Sequence, residues 1–171
     1  SFDEVASAIV KAVNWMLSDQ GRANEVLGAI QNQETADRVD QVSGEVLREG
    51  TAIEHALFTE ARTRSVKIIK TDVSQLETFE KEMFGPIVYI VATDSTDQSI
   101  ELASTIAKEQ GAISCGLYST NEKVIDKTID KMSQAGVPVS CNLVGNIWVN
   151  QSAAFSDFHV SGANPSGNAT L

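Results

Sequence analysis

Cysteine is scarce in this chain: only Cys115 and Cys141 occur among 171 residues. Two cysteines cannot build the dense disulfide framework of a small secreted domain, and this pair has no metal-ligand spacing. Both lie within or beside apolar runs, which leaves two readings open, buried free thiols that pack as small hydrophobes or one disulfide joining them. Dense runs of lysine or arginine are missing as well, and the formal net charge is −10. A surface that tracks phosphates needs a concentrated basic patch, so nucleic acid and anionic membrane are not expected partners. No apolar stretch approaches the roughly 20 residues that span a bilayer. The opening Ser1-Phe2-Asp3-Glu4 lacks the basic start of a signal peptide, and the cytoplasm is the expected location.

What is present is the composition of a soluble folded protein, with 42% apolar and 21% charged residues. That balance argues against disorder, and the length suits one core without staples. Ser1 and Glu4 form a capping box, followed by Val5, Ile9, Val13 and Met16 at helical spacing, with Val10 and Leu17 beside them. The chain thus opens directly on a helix, which predicts an excised piece of a longer protein. A second helix is expected from near Glu34 to Glu49, with Ala36, Val39, Val42, Val46 and Leu47 on one face and Gly50 at the left-handed position that ends it. In the less patterned stretch 51–80, Ala56-Leu57-Phe58 and Val66-Lys67-Ile68-Ile69 fit short strands.

From Ile87 the rhythm is regular. Ile87 to Ala92 is a continuous apolar strand of the kind found where both faces of a parallel sheet are covered. Ser95 and Gln98 then cap a helix through Glu109, which Gly111 ends. A strand follows from Ile113 to Tyr118, then a helix from about Asn121 to Ala135 with Val124, Ile125, Thr128, Ile129 and Met132 as its buried stripe, stopped by Gly136-Val137-Pro138. A strand at Ile147-Trp148-Val149-Asn150 completes a β-α-β-α-β series. The expected fold class is α/β, a mainly parallel sheet layered with helices. Beyond Asn150 the residues are small and polar, as in a loop or tail.

The segment Glu82-Met83-Phe84-Gly85-Pro86, immediately before the apolar strand, is the most informative in the chain. By itself it fits a Gly-Pro turn with a solvated glutamate. Three further stations follow in order: Asp97-Gln98-Ser99-Ile100-Glu101-Leu102-Ala103, Gly111-Ala112-Ile113 through Ser119-Thr120, and Asn146-Ile147-Trp148-Val149-Asn150. Taken together, this order and spacing resemble the aldehyde dehydrogenase superfamily, with its Glu-x-Phe-Gly-Pro motif and later Trp-Val-Asn. Upstream, the helix at Phe2-Asp3-Glu4-Val5 is similar to the family helix that follows the catalytic cysteine. Gly28 with the helix start over Gln33–Val39 is similar to a Gly-Pro-x-(Ile/Val) element. The resemblance covers nearly the whole chain and makes residues 1–150 part of a catalytic domain, with 151–171 a polar loop or tail that is itself cut short.

The resemblance implies an NAD or NADP cofactor and an aldehyde substrate that a cysteine thiolate attacks before hydride transfer and hydrolysis. Carried over by position, Glu82 would hydrogen-bond the nicotinamide-side ribose and Phe84 would pack at the same end of the cofactor. The family nucleophile precedes the Glu-x-Phe-Gly-Pro motif, yet no cysteine occurs in residues 1–84. Cys115 and Cys141 both follow the motif and do not inherit the role. The nucleophile, the general-base glutamate, the oxyanion-hole asparagine and the Gly-rich cofactor turn are all expected upstream of Ser1, so the isolated chain is expected to be inactive.

The tail departs from the usual family ending. Phe155-Ser156-Asp157-Phe158-His159-Val160-Ser161-Gly162-Ala163-Asn164-Pro165, with the extra stretch Val137–Asn142, resembles the phenylacetic acid degradation branch, which implies oxidation of a CoA-linked semialdehyde. Phe155 and Phe158 stand where the family places substrate-pocket aromatics; core or interface packing fits them equally. His159 replaces a usual lysine and fits an exposed or interfacial residue, or a tuned base. His55 has no nameable partner, and no metal ligands are expected. Family members assemble through this domain, which implies a homo-oligomer. Two alternatives share these features: a non-catalytic α/β interaction or scaffold domain, and an acylating, CoA-dependent member of the superfamily.

Overall fold

A computed structural model describes residues 1–112 and 114–144. The chain divides into two compact units, Ser1–Ala92 and Thr93 onward. The first unit opens on helix α1 (Phe2–Leu17), whose capping box forms as the sequence predicts, with the Ser1 side chain accepting from the Glu4 amide. Helix α2 (Gln20–Val26) was not legible beforehand; the Asp19 side chain starts it by accepting from Arg22 N. Of the apolar residues at helical spacing on α1, Val10, Val13, Met16 and Leu17 are half-buried and Val5 and Ile9 are exposed. Only Ala6 is buried on that helix, and Val5 remains 56% exposed.

Helix α3 (Gln33–Gln41) begins at its Asn32 cap but ends eight residues before the expected Glu49, at an extended Val42. Residues expected to continue the helix instead form strand β1 (Glu45–Arg48). The cause is long-range. Val42 O accepts a hydrogen bond of 2.7 Å from Lys67 Nζ, and β1 pairs antiparallel with β2 (Lys67–Asp72), placing Val46 opposite Ile69. Gly44 makes the break possible at φ +151°, where an added Cβ would lie 2.7 Å from Ile69 Cγ2. Gly50 therefore does not end a helix; it sits where a Cβ would lie 2.5 Å from Val39 Cγ1 and 3.0 Å from Ser65 O, so the Val39 side chain packs directly on its backbone.

Strand β2 is the centre of the sheet β1-β2-β3. Its residues Ile68 and Ile69 are buried, with Val39 of α3. Strand β3 (Ile87–Ala92) runs parallel to β2, pairing Lys67 with Ile87 and Ile69 with Tyr89. Parallel neighbours need a long connection, and the segment 73–86 provides it through a 3-10 turn at Val73–Gln75 and helix α4 (Leu76–Phe79). The expectation that β3 is covered on both faces fails within this unit: Val88 is 42% exposed.

The segment expected to be a strand at Ala56-Leu57-Phe58 is a turn. Buried His55 is its organiser: Nδ1 accepts from Leu57 N at 3.2 Å and from Phe58 N at 3.3 Å. Two amides drawn to one ring nitrogen close the backbone locally and remove it from any ladder.

In the second unit, helix α5 (Thr96–Gln110) is capped by Ser95, whose side chain accepts from Gln98 N, and it ends at Gly111 with φ +87°. Strand β4 (Cys115–Leu117), helix α6 (Glu122–Gln134) and strand β5 (Val139–Cys141) follow, and β4 pairs parallel with β5. Strand β5 replaces what the sequence suggested was only an extra stretch after Pro138. The Ile147–Asn150 strand and the 151–171 tail lie outside the described residues, as does Ile113 at the expected start of β4. The core of this unit is Ala107, Met132 and Val137, with Cys115 and Val139 packed against it. On α6, Thr128 and Met132 are buried as expected, whereas Ile129 is exposed.

The Asn121 side chain accepts from Lys123 N at 3.0 Å and so satisfies a donor that α6 leaves open. Asn121→Ala is expected to lower stability by about 1 kcal/mol, read as a shift in the urea midpoint with an unchanged slope.

Candidate functional site

The turn Glu82–Pro86 joins α4 to β3 and is fixed chiefly through its backbone. Gly85 adopts φ +140°, a conformation that side-chain-bearing residues rarely take. Gly85 O accepts from Ile87 N at 2.9 Å, closing the turn onto the strand. Pro86 O accepts from Lys67 N at 2.8 Å, which ties the exit to the first residue of β2. Phe84 O accepts from Arg38 Nη1 on α3 at 2.8 Å. The Tyr89 hydroxyl donates to Met83 Sδ at 3.8 Å, and burial pushes the phenol above its usual range, so it keeps its proton.

That arrangement sorts the turn by position. Met83 is partly buried beneath Tyr89, while Glu82 and Phe84 on either side of it are exposed, Phe84 by 68%. Both residues that the sequence offered as candidate cofactor contacts therefore stand in one turn, two residues apart, on a backbone held from α3, β2 and β3. A carboxylate there offers acceptor oxygens to paired hydroxyls. An exposed aromatic ring beside it offers an apolar surface for a flat heterocycle.

Phe84, Gly85 and Pro86 also line a groove of about 830 Å³ in the first unit. Its other walls include Val13, Met16 and Leu17 of α1 and Leu27 and Ile30 of the loop between α2 and α3. The volume is within the ordinary range of small-molecule sites, and its lining is mainly apolar, with six polar or charged residues. Arg38 and Arg64 are among these. Asp40 holds the Arg64 fork through two hydrogen bonds of 2.6 and 2.7 Å.

Sequence reasoning missed Arg38 and Lys67. Both act on backbone carbonyls distant in sequence, Arg38 on Phe84 and Lys67 on Val42. Neither a half-buried arginine on a helix nor a buried lysine at the start of a strand carries a local signal of that kind.

The two cysteines are free thiols on neighbouring strands. Leu117 is the register partner of Cys141, and Val139 that of Cys115. Burial, and to a lesser degree the nearby Cys141, pushes the Cys115 thiol above its usual range, so it disfavours the thiolate that nucleophilic attack requires. Phe155, Phe158 and His159 lie outside the described residues. Among the described residues no group of three or more His, Cys, Asp or Glu side chains could hold a metal ion, and no helix is long and apolar enough to cross a membrane.

Comparison with known proteins gives a consistent result. The model of the Aldehyde dehydrogenase family matches residues 1–170. The dimeric NADP-preferring aldehyde dehydrogenase of Canis lupus familiaris is 26% identical over 137 residues, 79% of this chain and 28% of that protein. The crystal structure of the NAD-dependent aldehyde dehydrogenase from Burkholderia multivorans is similar with a TM-score of 0.85 at 46% identity, covering 98% of this chain and 30% of that one. The chain thus spans under a third of the length of these relatives.

Proposed function

The chain belongs to the aldehyde dehydrogenase family, and from that premise we propose that it is the cofactor-positioning C-terminal portion of an NAD(P)-dependent aldehyde dehydrogenase. The observation that carries this reading is the Glu82–Pro86 turn, which displays an exposed carboxylate and an exposed aromatic ring from a backbone tied to three elements. The Glu82 carboxylate accepts hydrogen bonds from the hydroxyls of the nicotinamide-side ribose, and Phe84 packs against the same end of the cofactor. When bound, NAD+ or NADP+ takes the hydride that leaves the aldehyde carbon. The contribution of these residues is orientation, which governs much of the rate at a hydride-transfer centre.

The nucleophile is assigned to neither cysteine. Cys115 is packed against the core of the second unit, and burial pushes its thiol above the usual range, which disfavours the thiolate; Cys141 is exposed at the end of β5. The attacking cysteine then belongs to a longer protein of which residues 1–150 form part of the catalytic domain. The relatives, more than three times as long as the matched region, support this reading.

The Phe155–Pro165 sequence supports the phenylacetic acid degradation branch and a CoA-linked semialdehyde as substrate, with Phe155 and Phe158 lining its pocket. In this reading the protein is a cytoplasmic homo-oligomer that acts on a small molecule; its acidic net charge supports a surface that binds neither nucleic acid nor anionic membrane.

The test is nicotinamide reduction, followed by absorbance with aromatic, aliphatic and CoA-linked aldehydes, on the full-length protein and on this chain side by side. Turnover by the full-length protein alone is expected. Turnover by the isolated chain overturns the placement of the nucleophile, and silence in both overturns the enzyme reading.

A further inference from the structure

The Tyr89 hydroxyl is a good donor matched to a poor acceptor. Among the described residues its one hydrogen-bond partner is Met83 Sδ, 3.8 Å away, and a thioether accepts only weakly. The donor is nonetheless held in place. Tyr89 pairs with fully buried Ile69 on the central strand, and its ring lies 6.5 Å from that of Phe79 on α4, tilted by 46°. Burial raises the phenol above its usual range and keeps it protonated.

The sulfur it faces is open to oxidation. Met83 is partly exposed, whereas Met132 is buried in the core of the second unit. A sulfur lone pair attacks one oxygen of hydrogen peroxide; the Sδ–O bond forms and the O–O bond breaks. The proton on the transferred oxygen passes to the departing hydroxide. One peroxide thus gives one sulfoxide and one water, the sulfur losing the two electrons that the peroxide gains. Such a change ordinarily disrupts packing, because an apolar side chain becomes polar. Here an oxygen bonded to Sδ, lying off the line to Tyr89 Oη, reaches the ordinary O–H···O length of about 2.7 Å with neither heavy atom displaced. A strong acceptor then replaces a weak one.

We propose that Met83 is a site of reversible oxidation by peroxide, and that the Tyr89 hydroxyl holds the sulfoxide beneath the Glu82–Pro86 turn so that the turn keeps its shape. Without that donor the sulfoxide turns out to water and draws Met83 from under the turn. The consequence for the cofactor rests on the reading of Glu82 and Phe84 as cofactor contacts.

The experiment treats the full-length protein with hydrogen peroxide and removes the excess. Mass spectrometry reads oxygen gained by the Met83 peptide, fluorescence the affinity for reduced nicotinamide cofactor, and calorimetry the thermal midpoint. The native sequence, Tyr89→Phe, Met83→Leu and Met83→Leu/Tyr89→Phe are compared, each before and after treatment. The Met83→Leu proteins measure oxidation elsewhere, thiols included, and should respond alike. Met83 should gain one oxygen in the native protein and in Tyr89→Phe, and Met132 none. Measured against Met83→Leu, oxidation of the native protein should leave cofactor affinity within about twofold and the midpoint unchanged. In Tyr89→Phe it should weaken the cofactor about tenfold, the size of effect that one missing hydrogen bond supports. The midpoint should fall with it, and methionine sulfoxide reductase should restore both. No oxygen on Met83, equal losses in the native protein and Tyr89→Phe, or a loss that survives Met83→Leu overturns the proposal. If Tyr89→Phe does not accumulate as folded protein, Met83→Gln supplies an amide oxygen in place of the sulfoxide oxygen and should bind cofactor within about twofold of native; a loss of about tenfold overturns the proposal. A midpoint that follows this pattern while cofactor affinity does not, in any of the proteins, overturns the reading of the turn as a cofactor contact and leaves the sulfoxide site standing.

Discussion

Ile69→Ala is expected to destabilise the first unit by about 2–5 kcal/mol, and Ile69→Val by about 0.5–1.5 kcal/mol. Ile69 is fully buried at the middle of the central strand, opposite Val46 on one side and Tyr89 on the other. Truncation there removes side-chain atoms that neighbours on both flanking strands cannot replace without shifting the ladder. The loss is a transfer term plus a cavity term, and the cavity persists because β1 is short and pinned by the Arg48 bonds to Ser65 Oγ at 2.9 Å and to Val66 O at 2.6 Å. Arg48 itself is shifted down by burial, so this clamp includes a partly desolvated charge that also resists movement. Guanidinium denaturation of the three proteins reads the graded series. Similar small shifts for both variants would mean that the sheet is not the centre of the unit's stability. The effect bears on function because the same strand begins at Lys67, whose amide ties down Pro86.

Much of the second unit was legible because its signals are local. Ser95 and Asn121 are side-chain caps within reach of their own helices, and Gly111 and Gly136 end or follow them at positive φ. Period and punctuation agree there, so each helix could be placed to within a residue or two. The first unit failed where distant partners decide. Val42, Val46 and Leu47 continue the helical spacing of α3, and that periodicity outweighed the Ser43-Gly44 pair. A lysine 25 residues on, together with the ladder to β2, ends the helix. His55 similarly turns a stretch of strand-like composition into a tight bend through two bonds to backbone amides. No periodicity encodes that choice.

Glu82 and Phe84 were legible as candidates only through the resemblance of Glu82–Pro86 and the later stations to a family motif; by itself the segment fits a Gly-Pro turn with a solvated glutamate. What the sequence could not convey is why the turn holds its shape. That depends on Arg38, Lys67 and Tyr89, which come to it from α3, β2 and β3. Strand β5 was missed for a different reason: three residues directly after Pro138 are too few to show alternation, and the pairing with β4 is what makes them a strand.

Glu82→Gln is expected to lower kcat/KM of the full-length protein for the nicotinamide cofactor by about 10- to 100-fold, the range spanned by losing one or two charge-assisted hydrogen bonds. The substitution keeps size and an acceptor oxygen but removes the negative charge that strengthens bonds from hydroxyl donors. Glu82 is exposed, so stability should change little, within about 0.5 kcal/mol. That separation of effects distinguishes a ligand contact from a structural residue.

The most direct measurement is therefore the affinity of the full-length protein for reduced nicotinamide cofactor, by the cofactor's own fluorescence, in the native sequence and in Glu82→Gln. Weaker binding by about tenfold, at an unchanged thermal midpoint, is the predicted result. Equal affinity in the two proteins would contradict the assignment of the Glu82–Pro86 turn to the cofactor.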